Sequence, residues 1–332
     1  MKFLDLFAGI GGFRLGLEQA GHECVGYVEW DKYARKSYEA IHNTEGEWTA
    51  HDITTVTDDD LRTLANMGIE IITGGFPCQS FSVAGKRGGF NDTRGTMFFE
   101  IARIAKQIKP RIILLENVKG LLSHDKGNTF GTILHTLDEL GYDCEWQVLN
   151  TKDFSTKERP TPQNRERVFI IGHLRGTSRS EVLPIRRENE TPISIAGYLS
   201  EGFEAVNYVL DPKGIAKCLT TMGGGNREPK VLVNEPKVVT VGNIGNGHGG
   251  YDVVSDGGLC PTLKARDYKG PIQVLREKKV RKLTPRECWR LQGFPDWAFE
   301  RAAEVNSDSQ LYKQAGNSVT VNVIYEIGKR LI

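Results

Sequence analysis

Residues 2–13 read KFLDLFAGIGGF, and this stretch decides the fold class. The mainly apolar residues 2–6 predict a buried strand, and the glycines that follow predict a tight turn into a helix over 12–20. A second strand at 23–28 and a second helix at 32–42 repeat the order. A strand that passes through a turn into a helix is the building unit of parallel α/β sheets.

The same alternation continues to about residue 175. Further strands are predicted at 69–73, 112–115, 144–149 and 168–172, and further helices at 96–107 and 129–140. We therefore predict an α/β fold with a doubly wound sheet. Ligands of such sheets bind at the carboxyl ends of the strands, so polar residues at those ends are candidate site residues.

The composition changes after about residue 185. Residues 197–275 are rich in Gly, Thr, Val and Asn and contain short strand-like runs, which predicts a small, loop-rich β domain. Helical spacing returns near the end of the chain. We predict a catalytic domain over 1–185 that is completed by a C-terminal helix at 305–332, with a small domain and hinge over 186–304.

The bulk composition is typical of a globular protein, with 39% hydrophobic and 26% charged residues. The chain has no run of eighteen apolar residues, and its first residues lack the features of a signal peptide, which predicts a cytoplasmic protein without a membrane span. Six cysteines occur without a C-x-x-C pair or a zinc-spaced histidine cluster. We therefore expect free thiols and no metal.

The net charge of +1 does not indicate a nucleic-acid partner, but the charge is unevenly distributed. Residues 276–290 carry seven Lys or Arg against two Glu, whereas residues 1–70 carry six Lys or Arg against thirteen Asp or Glu. The basic stretch is either a phosphate-binding surface or simply a solvated face.

The glycine turn suits a ligand that has no phosphates. A dinucleotide-binding G-x-G-x-x-G pattern requires glycine where Arg14 stands. Glu29 follows the second strand, where ribose hydroxyls are usually held, while Trp30 offers an aromatic face for adenine and Asp52 an acceptor for its amino group. The alternatives are a solvated Glu29, a core Trp30 and a helix-capping Asp52. Together these features predict a nucleoside-type cofactor, and S-adenosylmethionine fits.

A candidate nucleophile lies in GGFPCQSFSVAGKRGGFNDTRG, residues 74–95. Cys78 stands at the start of an irregular polar loop, and the nearby Lys86, Arg87 and Arg94 favour the thiolate. The alternative is a buried cysteine that packs as a small hydrophobe. Since the neighbouring Pro, Gln and Ser are poor core material, the pattern favours a reactive thiol.

Two further motifs supply groups that can bind a planar ring. Glu116 ends the strand of LLENVKG, and a carboxyl group that burial keeps protonated can donate a hydrogen bond to a ring nitrogen. Arg165 and Arg167 are alternate residues before an apolar strand, so they point to one face and suit a ring oxygen or a phosphate. The alternatives are a capping or exposed Glu116 and a surface ion pair with Glu166.

Six motifs occur in the order found in DNA (cytosine-5) methyltransferases, and the chain resembles the bacterial restriction–modification branch of that family over nearly its whole length. The motifs are DLFAGIGGFR, FPCQSFS, ENV, QNRERVF, RKLTPRECWRLQGFP and QAGNSV. The resemblance implies a Rossmann-like, S-adenosylmethionine-dependent methyltransferase fold with a smaller β-rich target-recognition domain.

The resemblance also implies the roles of the candidate residues. Cys78 attacks carbon 6 of a cytosine, Glu116 protonates or hydrogen-bonds ring nitrogen 3, and Arg165 holds the exocyclic oxygen, with Arg167 beside it. S-adenosylmethionine gives its methyl group to carbon 5 and leaves as S-adenosylhomocysteine. The implied cofactor-binding residues are Phe7, Ala8, Gly9, Gly11, Glu29, Trp30, Asp52, Ile53, Pro77, Met97, Asn317 and Val319.

The target carbon cannot be reached inside a stacked duplex, so the base must be flipped out of double-stranded DNA. The implied DNA contacts are Ser80, Ser82, Lys86, Arg87, Arg94 and Gln163 in the large domain and Asn246, His248, Tyr251, Lys264 and Arg266 in the small domain. We expect a monomer in the bacterial cytoplasm, away from membranes. A cognate restriction endonuclease would act beside it without forming a stable complex.

Three alternatives remain open on the sequence. A transfer-RNA cytosine-5 methyltransferase shares these motifs, although the substantial β domain favours duplex DNA. A non-catalytic DNA-binding relative is disfavoured because Cys78, Glu116 and Arg165 are intact. A thiol hydrolase would need a histidine near Cys78, and none of the seven histidines is an obvious candidate.

Overall fold

The chain divides into two units. The large unit comprises Met1–Ile193, Ile215–Arg227 and Thr284–Ile332, and the small unit comprises Ser194–Gly214 and Glu228–Leu283. The structure is a computed structural model, and it describes residues 1–77, 97–178, 181–185, 195–198, 208–210, 216–217, 228–234, 240–244, 251–254 and 278–332.

A seven-stranded sheet forms the centre of the large unit. Its strands are β1 (Lys2–Leu6), β2 (Glu23–Val28), β3 (Trp48–Ala50), β4 (Ile69–Gly75), β5 (Ile112–Val118), β6 (Tyr142–Asn150) and, after the short β7 (Gln163–Asn164), β8 (Glu166–Leu174). The strand order is β3-β2-β1-β4-β5-β8-β6. Strands β1 to β5 pair in parallel, and β8 pairs antiparallel with both β5 and β6. The order reverses between β1 and β4, so their carboxyl ends form the switch point at which such sheets bind ligands.

Nine helices are present in the described part of the large unit. They are α1 (Gly12–Gln19), α2 (Lys32–Ile41), α3 (Asp58–Ala65), α4 (Met97–Ile108), α5 (Asn128–Glu139), α6 (Pro285–Leu291), α7 (Asp296–Val305), α8 (Asp308–Asn317) and α9 (Val321–Gly328). The strands and helices predicted for residues 2–172 are confirmed to within three residues at each end. The single predicted C-terminal helix is two helices, which a break at Ser318–Thr320 separates.

Helices cover both faces of the sheet, because neighbouring residues of a strand point to opposite faces. Leu4 and Ile72 belong to one buried apolar cluster, whereas their neighbours Phe3 and Ile71 belong to another. The first cluster includes residues of α4 and α5, and the second includes residues of α1 and α9. The predicted doubly wound α/β sheet is therefore confirmed.

The last helix packs closely against the first one. A Cβ atom on Gly16 would lie 2.6 Å from Cβ of Ile324, and one on Gly12 would lie 2.6 Å from the main-chain oxygen of Val319. Only glycine permits so close an approach. The end of the chain is thus held beside the helix that begins at the glycine turn.

The small unit has its own β-structure. A four-stranded sheet has the order β15-β12-β10-β9, with β9 at Ile195–Tyr198, β10 at Tyr208–Leu210, β12 at Lys230–Asn234 and β15 at Lys278–Lys282. The strands β13 (Thr240–Ile244) and β14 (Tyr251–Val254) pair as an antiparallel hairpin, and β11 (Ala216–Lys217) pairs with β7 inside the large unit.

The predicted limits of the small domain, 186–304, do not match these units. Thr284–Ile332 belongs to the large unit, where the fully buried Trp289 donates a hydrogen bond to the main-chain oxygen of Leu311 over 2.9 Å. Residues 284–304 therefore belong to the large unit. No helix among the described residues has the length and apolar character that crossing a bilayer requires.

Candidate active site

A cavity of about 380 Å³ opens in the large unit at the carboxyl ends of β1, β2, β4 and β5. It brings together many of the residues that the sequence predicts for the cofactor and the chemistry. These are Phe7, Gly9, Glu29, Pro77 and Asn317, together with Glu116, Arg165 and Arg167. One cavity therefore combines the predicted cofactor-binding turn with the predicted catalytic carboxyl group.

The carboxylate of Glu29 accepts hydrogen bonds from two main-chain amides, one of them in the glycine turn. The amide of Gly9 donates to Oε2 of Glu29 and the amide of Asp31 donates to Oε1, each over 2.7 Å. Burial raises the pKa of Glu29. Phe7, at the start of the turn, has a φ of 54°, a strained conformation for a residue with a side chain and one that recurs at ligand sites.

Gly11 has no room for a side chain. Its φ is 85°, and a Cβ atom there would lie 2.1 Å from Nε2 of the buried His42. Burial lowers the pKa of His42 to about 3, so the imidazole beneath the turn is neutral. The ring of His42 thus fills the space under the turn and makes glycine necessary at this position.

We expect Gly11→Ala to lower the free energy of unfolding by about 2–5 kcal/mol, since overpacking adds to left-handed backbone strain. Urea denaturation measures this loss. Gly21→Ala is the matched control, because Gly21 has a φ of 89° but nothing within 4 Å of its would-be Cβ atom. Equal losses in the two variants would contradict the close packing of His42 under the turn.

Glu116 and Arg167 lie side by side in the same cavity. Nε of Arg167 lies 3.0 Å from Oε1 of Glu116, and the side chains are 17% and 12% exposed. Burial raises the pKa of Glu116, and the charges of Arg167 and Arg165 oppose this rise without cancelling it. The group therefore keeps a proton at a higher pH than an ordinary carboxyl group, as its predicted role requires.

The two arginines have different surroundings. Arg165 is 3% exposed, and its Nη2 donates to the main-chain oxygens of Gly316 (3.2 Å) and Ser318 (2.8 Å). Only Arg167 is within ion-pair distance of Glu116. The ion pair considered for Glu166 is made instead by Lys119 over 2.9 Å. The two arginines of the cavity therefore contact different parts of the large unit.

Sequence reasoning missed several residues that shape the cavity. Nδ2 of the buried Asn117 donates to the main-chain oxygen of Phe76 over 2.9 Å and so fixes the residues before the cysteine loop. Nζ of Lys313 lies 2.5 Å from Oδ2 of Asp31, which joins α8 to the start of α2. Asn117 lies in the recognised motif ENV and Lys313 directly precedes the motif QAGNSV, but their contacts with Phe76 and Asp31 have no local signal.

Other predicted cofactor residues do not line this cavity. Asp52 accepts a hydrogen bond from the amide of Thr54 over 2.9 Å, which is the capping role considered for it. Trp30 is 74% exposed, so it is not a core residue. Ala8, Ile53 and Val319 are buried. Met97 packs against the core, and Gly11 belongs to the glycine turn.

Two of the predicted DNA contacts lie among the described residues. Gln163 is fully buried and donates to the main-chain oxygen of Leu291 over 3.2 Å. Tyr251 lies in β14. The other candidates lie outside the described residues, as does the predicted nucleophile; they are Cys78, Ser80, Ser82, Lys86, Arg87, Arg94, Asn246, His248, Lys264 and Arg266.

Part of the basic stretch 276–290 is neutralised within the large unit. Arg286 pairs with Glu300 over 2.9 Å, and Arg290 contacts both oxygens of Asp296 over 2.7 and 2.5 Å. These exposed pairs make the end of the stretch a solvated, ion-paired face, which is the simpler of its two interpretations.

Solved structures share this fold over nearly the full chain. The Dnmt2 methyltransferase of S. pombe superimposes with a TM-score of 0.62 at 20% identity and covers 99% of this chain and 97% of its own. The methyltransferase EhMeth of Entamoeba histolytica gives 0.63 at 18% identity, over 100% and 97%. These likenesses establish that the chain shares their fold.

The family follows from the sequence comparisons. The model of C-5 cytosine-specific DNA methylases matches residues 1–332, and the chain belongs to this family. Similar proteins include the type II methyltransferase M.HhaI of Haemophilus parahaemolyticus, 39% identical over 100% of this chain and 95% of that protein. M.SsoII of Shigella sonnei is 40% identical over 100% and 80%. The predicted family and its enzymatic nature are confirmed, and the family implies the use of S-adenosylmethionine.

Proposed function

We propose that this protein methylates carbon 5 of a flipped-out cytosine within a specific double-stranded DNA sequence and so protects that DNA from a restriction enzyme. The observation that carries the proposal is the buried Glu116–Arg167 pair, 3.0 Å apart, in the cavity that the glycine turn also borders. A protonated carboxyl group beside a guanidinium group is complementary to one edge of cytosine, where a ring nitrogen lies beside an exocyclic oxygen.

The cavity suits S-adenosylmethionine. Its volume lies in the range of small-molecule sites. Near the glycine turn its charged groups are Glu29, Asp31 and the Lys313 that pairs with Asp31, so a pyrophosphate would meet uncompensated negative charge. Phe7, Gly9, Glu29 and Asn317 would hold the nucleoside. When bound, this cofactor supplies the methyl group and leaves as S-adenosylhomocysteine.

The chain's own residues act on the base. Glu116 donates its proton, as a hydrogen bond or outright, to ring nitrogen 3 and makes carbon 6 electrophilic. Arg167, rather than Arg165, holds the exocyclic oxygen, because the guanidinium group of Arg165 is engaged by two main-chain carbonyls. Cys78 follows the cavity-lining Pro77 in the chain and adds its sulfur to carbon 6. After methyl transfer, carbon 5 gives its proton to water, the sulfur leaves carbon 6 as a thiolate, and ring nitrogen 3 returns its proton to Glu116, which restores the ring.

Substrate choice is tested with tritium-labelled S-adenosylmethionine and two acceptors, duplex DNA and transfer RNA. We expect label in DNA alone, and bisulfite sequencing then identifies the methylated cytosine. Duplex DNA that carries 5-fluorocytosine should trap a covalent complex, because fluorine at carbon 5 cannot leave as a proton. Label in RNA without label in DNA would favour the transfer-RNA alternative.

The small unit is the proposed sequence reader, with Asn246, His248, Tyr251, Lys264 and Arg266 as candidate base contacts. Exchanging residues 197–275 for the segment of a relative with another target should change the methylated sequence, because bidentate base contacts each discriminate by about 1–3 kcal/mol. Bisulfite sequencing of both proteins' products measures this. An unchanged target would place base reading in the large unit.

We further propose a monomeric enzyme of the bacterial cytoplasm that forms no stable complex with its restriction endonuclease.

A further inference from the structure

The end of helix α8 is held by side chains from distant parts of the large unit. The last carbonyl groups of an α-helix have no partner within the helix. In α8, the oxygen of Ala315 accepts a hydrogen bond from Nε2 of Gln292 over 2.9 Å, and the oxygen of Gly316 accepts one from Nη2 of Arg165 over 3.2 Å. The helix end therefore depends on residues that lie far away in the sequence.

Arg165 donates hydrogen bonds to the main chain on both sides of Asn317. The same Nη2 that contacts Gly316 donates to the oxygen of Ser318 over 2.8 Å. Gly316 and Ser318 are buried, whereas the side chain of Asn317 between them is exposed and lines the cavity. The position of Asn317 in the cavity is thus set by the two peptide groups that Arg165 holds.

Arg165 is itself fixed at its main chain. Its amide donates to Oδ1 of Asn150 over 3.0 Å, and its carbonyl oxygen accepts from the amide of Thr151 over 3.0 Å. The side chain is 3% exposed, so water does not screen its charge, and a cation at the end of a helix is favourable. These contacts make Arg165 a rigid brace between the start of β8 and the end of α8.

We propose that Arg165 is a positioning residue that sets the affinity for S-adenosylmethionine by fixing Asn317, and that it does not contact the target base. The inference rests on the proposed function. Arg167, two residues further along the chain, contacts Glu116. One short segment therefore supplies both Arg165, which fixes the cofactor-binding Asn317, and Arg167, which binds the target base.

Calorimetric titration with S-adenosylhomocysteine measures this role without turnover. We expect Arg165→Gln to weaken binding about tenfold, since hydrogen bonds to a charged group are lost. Its KM for S-adenosylmethionine should rise while kcat at saturation is largely kept. Arg165→Lys, which keeps the charge and one donor group, should bind more tightly than Arg165→Gln. Arg167→Gln should show the opposite result: kcat should fall, and the affinity for S-adenosylhomocysteine should stay unchanged.

Arg111 provides a matched control for general loss of stability. Its Nη2 donates to the oxygen of Leu331 over 3.0 Å, a similar contact with the end of the chain, and it does not line the cavity. Arg111→Gln should lower the melting temperature about as much as Arg165→Gln and leave the affinity for S-adenosylhomocysteine unchanged. A parallel loss of affinity in the Arg111 variant would overturn the specific role of Arg165.

A double-mutant cycle with Asn317→Ala tests the route of the effect. If Arg165 acts through Asn317, Arg165→Gln should cause little further loss of affinity once Asn317 is alanine. Additive losses would overturn the inference, and so would an Arg165→Gln protein that binds S-adenosylhomocysteine normally but has lost kcat. Wild-type protein that fails to bind S-adenosylhomocysteine would overturn both this inference and the proposed function.

Discussion

Replacing Cys78 by alanine is expected to reduce methyl transfer by at least about 10⁴-fold, the scale of loss when a covalent nucleophile is removed. The alanine variant has no group that can add to carbon 6, so carbon 5 never becomes nucleophilic. Phe7, Gly9 and Glu29, which border the cavity, are unchanged in this variant, so binding of S-adenosylhomocysteine should persist. Tritium transfer to duplex DNA measures the first effect, and calorimetry measures the second.

A second cysteine supplies the control for this experiment. Cys144 is a half-buried cysteine in β6 that does not line the cavity. Cys144→Ala should retain full activity and still form the covalent complex with 5-fluorocytosine DNA, whereas Cys78→Ala should form none. A trapped complex or normal turnover in the Cys78 variant would refute the assignment of the nucleophile.

The fold was largely predictable because its signals are local. The apolar runs of β1 and β5 and the glycines after β1 each occupy a few consecutive residues, so periodicity and turn chemistry reveal them. Glu29 and Glu116 were found for the same reason, since each ends a recognisable strand at the edge where parallel sheets bind ligands.

The contacts that complete the site were not predictable in this way. Arg165 meets the carbonyl groups that flank Asn317 across about 150 positions of sequence, and Lys313 reaches Asp31 from even further away. Such pairs depend on how α8 returns to the sheet, which no local pattern specifies. The limits of the small domain were misplaced for a related reason, because helices α6 and α7 follow the β-rich segment in sequence but pack in the large unit.

Glu116→Gln is expected to lower kcat by about 10²–10⁴-fold, the usual contribution of a positioned acid. Glutamine can still offer a hydrogen bond but cannot give up a proton to ring nitrogen 3. Glu145→Gln is the matched control. The side chain of Glu145 is also 12% exposed, and its Oε1 lies 2.8 Å from Nε2 of His173, but it does not line the cavity. Its replacement should leave kcat unchanged, and equal losses in the two variants would contradict a catalytic Glu116.

The pH dependence of kcat tests how Arg167 changes the pKa of Glu116. Burial raises the pKa of Glu116, so the protonated, active form persists above the ordinary carboxyl range and activity falls as pH rises through the raised pKa. Arg167 opposes that rise, so Arg167→Met should raise the pKa further and move the alkaline limit of kcat to higher pH, even as kcat itself falls. An alkaline limit that does not move to higher pH would contradict its assignment to the protonated form of Glu116, and an acid limit that moves to higher pH instead would mean that Glu116 acts as the ionised carboxylate.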